Sequence, residues 1–361
     1  MVRARNMALV LGFAAVLVAP TVASICHLDP FGAIDEKRVL AKKPEVALWS
    51  LASLRQAPAI AQAYEKYFNE NFGFRKLLIG TARLATYYLL PDPIVVKGGS
   101  DGTSRWLYYD AGAASDGIGF ESVLGKEPYS PAALATIAEE LRQLTALVRA
   151  KGAQLVIAVC PDKQTVYPEY LPRDKRPQPG TLSRLDQFWA MAATLDSVPL
   201  VDLRPPLRQA KSREQLYYPT DTHWNWRAGA LAYQAIARAL AAQDPSRTVL
   251  PVELAQWQLA PPRVGDLTML MGLPAFGGDQ DWVPIFASLA VHAGPKRGKL
   301  LVIADSFFEF DQPFFEMQFE HVTMRLVTRG SRELLLKSGL LDTEKPDVVI
   351  VQTVERFWTR D

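Results

Sequence analysis

Ser306 stands directly after the apolar run KLLVIAD, residues 299–305. A serine at the end of a buried strand, where a helix begins, exposes its hydroxyl, and neighbouring backbone N–H groups can receive an oxyanion. The competing role is a helix N-cap, which serine fills often. A second constellation lies in YYPTDTHWNWRAGALAYQAIARAL, residues 217–240, where Asp221 and His223 are two apart just before an amphipathic run. In extended backbone, i and i+2 project to the same side. A carboxylate there can fix the imidazole tautomer while the other ring nitrogen faces a nucleophile. The alternative is that Asp221 or Thr222 caps the helix and His223 is an ordinary surface group. Together the three side chains are a set for nucleophilic chemistry at an acyl carbon. Trp224 and Trp226 follow His223 closely, on either side of Asn225. Indole faces suit sugar rings, although tryptophan at helical spacing also belongs to cores.

These residues need a scaffold that brings them to one edge. Ligands of open parallel sheets bind outside the carboxyl ends of the strands, so each apolar run is read one step past its end. Strand 154–160 ends in Pro161-Asp162-Lys163, and strand 199–203 runs through Asp202 into Arg204. Strand 299–305 ends in Asp305-Ser306, and strand 347–354 in Glu355-Arg356. Lys163, Tyr167 and Arg356 are therefore further candidates for substrate contact, each with the alternative of pairing with a carboxylate. A fifth strand is expected at 321–327, and helices at 131–150 (behind Ser130-Pro131), 181–195, 226–243 and 331–339. Val/Ile/Leu runs alternating with helices predict an α/β fold, a parallel sheet with helices on both faces. Upstream, 58–90 reads as helix broken at Asn71-Phe72-Gly73-Phe74, and 93–110 as a hairpin. Residues 31–50 read as a connector. Residues 245–298 are rich in Pro and Gly and are expected to be loops and short helices; Gly265-Asp266 within them is expected to shape a loop over the site without chemistry of its own.

Composition narrows the function classes. The chain has 361 residues, 49% hydrophobic and 22% charged, which is ordinary globular composition. Net charge is +2, and Arg3 and Arg5 account for it, so no nucleic-acid partner is expected. Cys26 and Cys160 make no disulfide framework. His27, His223, His292 and His321 lack the spacing of a metal site, and neither a metal nor another cofactor is expected. Arg3 and Arg5 precede an uncharged apolar stretch, Met7 to Cys26, long enough to span a bilayer despite Pro20. It is expected to be a signal anchor with the body of the chain exported; cleavage at Val22-Ala23-Ser24 is the alternative. Bulky Ile25 before Cys26 speaks against lipidation. The expected division is a signal segment at 1–30, a connector with N-terminal helices at 31–92, and a main domain at 93–361.

Over residues 60–356 the chain resembles the alginate O-acetyltransferases of the AlgJ/AlgX type. The resemblance rests on YEKYFNENFGFRKLLI, WLYY, VCPDKQTVYPEYLP, TDTHWNWRAGALAY, VGDLTML, LLVIADSFF and VVIVQTVER, in that order. It implies an SGNH-hydrolase-like (flavodoxin-like) domain in circularly permuted motif order, with Asp221 and His223 as the catalytic pair and Ser306 as nucleophile. It also implies an exopolysaccharide acceptor, a membrane-bound O-acyltransferase that supplies acetyl groups, and a place in the periplasm at the inner membrane. There are departures: Ala304 stands where the family has glycine, and GGSDGTSR makes an extra turn before WLYY. The chain ends soon after Arg356, so no C-terminal carbohydrate-binding module of the AlgX type is expected, as in the AlgJ type. Two rivals share these residues: a polysaccharide acetylesterase with the same triad, and a non-catalytic exopolysaccharide-binding or assembly protein.

A reporter fused after Asp361 is expected to be active outside the cytoplasm, because the basic flank lies ahead of the apolar stretch. Carbonate extraction then distinguishes a retained anchor from a released, cleaved protein. Cytoplasmic activity of the fusion would end the export expectation.

Overall fold

The computed structural model describes residues 2–25, 41–44, 57–92, 94–99, 105–115, 117–273, 278–327 and 330–358. The chain divides into two compact units, residues 1–91 with 270–274, and residues 92–269 with 275–361. The first unit is helical, with helices Val2–Ile25, Ala57–Glu70 and Arg75–Leu89. The first of these continues through Pro20. Among the described residues no helix is long and apolar enough to cross a membrane. Cys26, His27 and most of the connector 31–50 lie outside the described residues. The break at 71–74 is present: Phe74 takes a left-handed φ of 66°, and the Asn71 amide donates to the main-chain oxygens of Tyr67 and Ala41.

Among its described residues the second unit carries nine strands: β1 Val95–Lys97, β2 Leu107–Tyr109, β3 Gln154–Cys160, β4 Leu200–Asp202, β5 Trp257–Val264, β6 Gly278–Pro284, β7 Lys299–Ala304, β8 His321–Leu326 and β9 Val348–Val354. β1 and β2 form the expected antiparallel hairpin, Val95 opposite Tyr109; residues 100–104 of its turn are outside the described residues. Five strands form one sheet in the order β4-β3-β9-β7-β8, and every pair in it is parallel. Alternation along the central strands divides their side chains between two cores. Val156, Ala158, Cys160, Leu300, Val302 and Ile350 face helix Trp226–Gln243 and the aromatic segment from Phe307 to Phe319. Leu155, Ile157, Val159, Leu301, Ile303 and Val351 face helices Pro131–Ala150 and Arg184–Ala192. Helix starts follow local chemistry. The Ser130 hydroxyl accepts from Ala133 N–H with Pro131 in the first turn, and Ser183 with Asp186 makes a reciprocal capping box.

The expectation of loops across 245–298 is corrected. β5 and β6 pair there as an antiparallel ribbon, with a register shift between Ala260 and Arg263. Pro261 and Pro262 occupy the irregular stretch, where missing N–H donors are tolerated. Most of β5 is solvent-facing, so no apolar run announces it. Helix 331–339 is shorter than expected, Ser331–Lys337, and a second turn follows at Leu340–Glu344.

Gly229 sets how closely helix Trp226–Gln243 lies on the turn after β7. A Cβ at Gly229 would stand 2.4 Å from the Phe310 carbonyl oxygen and 2.6 Å from Phe310 Cβ. Gly229→Ala is expected to destabilise the domain by about 1–3 kcal/mol through overpacking. Urea unfolding checks this; an unchanged midpoint would mean that helix and turn are not in this contact.

Candidate active site

β7 ends at Ala304, and the chain turns at Asp305 into a short 3₁₀ helix, Ser306–Phe310. Asp305 takes the capping role: Oδ1 accepts from Phe307 N–H at 3.0 Å, and Oδ2 accepts from Val354 N–H at 2.6 Å. That leaves the Ser306 hydroxyl uncommitted to the helix, on an exposed residue. Asp305 is itself buried. Burial pushes its carboxyl up, against the Val354 and Phe307 N–H bonds that pull it down.

The segment 217–224 folds into a closed loop. Tyr217 and Trp224 form a bridge, and Tyr218 N–H donates to the His223 carbonyl. Asn225, not Asp221 or Thr222, caps the following helix, its Oδ1 accepting from Arg227 and Ala228 N–H. Asp221 and His223 are thereby free to face β7. His223 Nδ1 lies 2.6 Å from Asp221 Oδ1, and His223 Nε2 lies 2.7 Å from Ser306 Oγ. Asp221 Oδ1 also accepts from His223 N–H at 2.9 Å. Its Oδ2 accepts from Asp266 N–H at 3.2 Å and from Arg263 Nε at 3.4 Å. Burial alone would raise the Asp221 carboxyl; hydrogen bonds and charge from His223, with Arg263, outweigh it and hold it well below the usual carboxylate range. An ionised Asp221 keeps the proton of the imidazole on Nδ1 and leaves Nε2 to accept from the serine.

Two residues of this network come from the region expected to be loop. Arg263, on β5, lies over the rings of Tyr218 and Phe310. Asp266 accepts from Thr222 N–H at 2.7 Å and from the Thr222 hydroxyl at 2.5 Å, and stands 3.6 Å from His223 Nδ1. Burial pushes the Asp266 carboxyl up, and the Asp221 charge adds to that. The ribbon is anchored to the catalytic-side loop. Tyr218 Oη donates to Asp281, and Thr220 donates to Asp279 through both N–H and hydroxyl. Gly265 admits this approach, since a Cβ there would stand 2.1 Å from the Thr220 carbonyl oxygen. The signal for Arg263 and Asp266 lay in RVGDLTML, but only pairing with the loop gives it meaning.

Asp221, His223 and Asp266 bring possible ligand atoms within 4.8 Å of one another, the one such group among the described residues. Its carboxylates already accept from backbone N–H groups, from Thr222 and from Arg263. The arrangement is a hydrogen-bonded network with its own internal cation, Arg263.

The four residues read from sequence as substrate contacts, Lys163, Tyr167, Trp224 and Arg356, are all buried. Trp224 is fully buried, and its indole N–H donates to the Phe307 carbonyl at 2.9 Å, clasping the histidine loop to the serine turn. Tyr167 is buried against Trp106 and Tyr170, and its hydroxyl accepts from Leu216 N–H. Arg356 is buried, pairs with Asp162, and lies over Phe307 and Tyr109. Lys163 is only 2% exposed, and its ammonium donates to the carbonyls of Tyr218, Pro219 and Asp221. All four side chains are engaged with neighbouring groups of the protein.

Comparison with known proteins agrees with this architecture. The family described as "SGNH hydrolase-like domain, acetyltransferase AlgX" matches residues 100–304. The "Probable alginate O-acetylase AlgJ" of Pseudomonas putida is 29% identical over 218 residues, covering 59% of this chain and 52% of that protein. Its namesake from Pseudomonas fluorescens is 26% identical over 249 residues, covering 68% and 56%. The chain spans about half the length of the curated relatives it matches. The O-acetyltransferase domain of Pseudomonas putida AlgJ superimposes with a TM-score of 0.51 at 22% identity, over 75% of this chain and 94% of that one, and so shares the fold. With more than half of its residues matched, this chain belongs to the SGNH-hydrolase-like acetyltransferase family of AlgX.

Proposed function

We propose that this chain is a polysaccharide O-acetyltransferase that works through an acetyl-Ser306 intermediate. The observation that carries the reading is His223, hydrogen-bonded on one side to Ser306 and on the other to Asp221. In the first half-reaction His223 Nε2 takes the Ser306 proton as Oγ attacks the acetyl carbonyl, and the developing imidazolium is held by ionised Asp221. The Phe307 and Phe308 N–H groups are committed to Asp305, which leaves the Ser306 N–H of this turn to stabilise the oxyanion. The leaving group departs with the proton from Nε2. In the second half-reaction a sugar hydroxyl gives its proton to Nε2 and attacks the acetyl-serine, and Ser306 Oγ leaves with that proton. The relatives' name, probable alginate O-acetylase, supports acetyl transfer to a polysaccharide. The acceptor in this reading is an exported polysaccharide, and a membrane-bound O-acyltransferase supplies the acetyl group. The uncharged stretch Met7 to Cys26 holds the domain at the periplasmic face of the inner membrane.

The triad is tested with a small activated acetyl ester and mass spectrometry of the trapped protein. An acetyl adduct is expected on the peptide containing Ser306 and is absent in Ser306→Ala. His223→Ala is expected to abolish transfer almost as completely. Asp221→Asn is expected to lose on the order of 10⁴ in turnover by favouring the wrong tautomer. The double variant at Ser306 and His223 is expected to be scarcely worse than either single one, because the members act as a unit. Full activity in Ser306→Ala would sink the enzymatic reading. An adduct that water discharges and no oligosaccharide intercepts would turn it into an esterase.

A further inference from the structure

Lys163 is a buried charge for which the proposed reaction has no direct use. It opens the short helical turn Lys163–Val166 after β3 and reaches across to the loop that carries Asp221 and His223. Its Nζ donates to the main-chain oxygens of Tyr218 at 2.9 Å, Pro219 at 3.0 Å and Asp221 at 2.6 Å. An ammonium has three N–H donors and no acceptor, so this set uses all of them. The rings of Trp106 and Tyr108 lie 5.6 and 5.4 Å from the same atom, within cation–π range. Three carbonyl oxygens aimed at one point repel each other unless a cation stands there. The third of them belongs to Asp221, whose own carboxylate holds the His223 ring.

We infer that Lys163 is a positioning residue: its positive charge fixes the conformation of the Tyr218–His223 loop and thereby the alignment of His223 with Ser306. It acts through main-chain oxygens and touches neither reacting atom. The inference rests on the acetyl-transfer reading for its activity readout.

Titration of Lys163 gives the loop a proton-dependent state. The charged groups facing it are Asp221 in the loop, Asp266 beside it and Asp279 on β6; the aromatic faces come from Trp106 and Tyr108. Burial pushes the ammonium down to about 8, and the three carboxylates oppose that. A neutral amine has two N–H groups for three carbonyls, and its lone pair faces the third. The loop is then no longer pinned, and turnover falls. Global stability moves the other way. The native value of about 8 lies below the ordinary 10.5. In that window the unfolded chain binds more protons, and the native state gains stability from this group as pH rises. Alkaline loss of activity through Lys163 is therefore not unfolding.

The test measures acetyl-ester turnover from about pH 6 to about pH 10 for wild type, Lys163→Arg and Lys163→Met, with thermal midpoints at each pH. In parallel, low-field proton NMR follows the His223 Nδ1 proton. Wild type is expected to lose kcat in a one-proton step near pH 8, with KM little changed and the thermal midpoint not falling. The His223 resonance is expected to shift or vanish in the same step. Lys163→Arg, which stays charged, is expected to lack the step in both readouts. Lys163→Met is expected to lose about 10²-fold in kcat at every pH, the scale of a small misplacement of a catalytic group. A flat wild-type profile with an unchanged resonance, or wild-type kcat in Lys163→Met, would overturn the inference. If Lys163→Met does not fold, the wild-type NMR titration decides. If wild type forms no acetyl-Ser306, the functional reading fails, and the resonance still reports whether Lys163 holds the loop.

Discussion

The carboxylate of Asp221 is taken almost wholly out of water yet kept ionised. A buried anion is costly unless charge and hydrogen bonds replace its hydration. Here the replacements come from separate parts of the chain: the His223 ring and N–H, the Asp266 N–H and the Arg263 guanidinium. Each partner demands its own support. Arg263 requires the β5–β6 ribbon, and the ribbon requires Asp279 and Asp281 to grip Thr220 and Tyr218. Lys163 holds the carbonyl side of the same loop. The ribbon, the hairpin side chains Trp106 and Tyr108, and the end of β3 all converge on one oxygen-rich loop because one anion sits in it.

The serine side is built by a different device. Asp305 spends both oxygens on backbone N–H groups, one in its own turn and one at the end of β9. This fixes Ser306 relative to the sheet without using the serine hydroxyl. The indole of Trp224 then bonds to the Phe307 carbonyl. His223 and Ser306 are thus related through one indole, one capping carboxylate and two adjacent strands. Such a frame holds a geometry that a hydrogen bond between two exposed side chains would not hold alone.

The central strands were legible because they are buried on both faces, and burial on both faces writes continuous Val/Ile/Leu runs. Ser306 stood out because it follows such a strand, and Asp221 and His223 because they lie two apart just ahead of an amphipathic helix. β5 was hidden: its side chains are largely solvent-facing, and Pro261-Pro262 reads as a breaker when the bulge that accommodates it is unseen. The same blindness hid the burial of Lys163, Tyr167, Trp224 and Arg356. A sequence shows that a charge or a ring stands at a strand end. It does not show that a loop from 56 residues further along, such as the one bearing Pro219, will close over it.

The order of strands has a consequence for how the protein comes into being. β9, the last strand in sequence, lies between β3 and β7. β3 and β4 can pair early, and so can β7 and β8, but neither ladder touches the other until β9 enters between them. His223 belongs to the half that packs on β3, and Ser306 to the half that ends β7; 83 residues separate them. The turn bearing Ser306 is also held by Val354, the final residue of β9. The last strand in sequence therefore ties the turn that bears Ser306 to the β3 side of the sheet, so the two halves of the Ser306–His223 contact share one closing element.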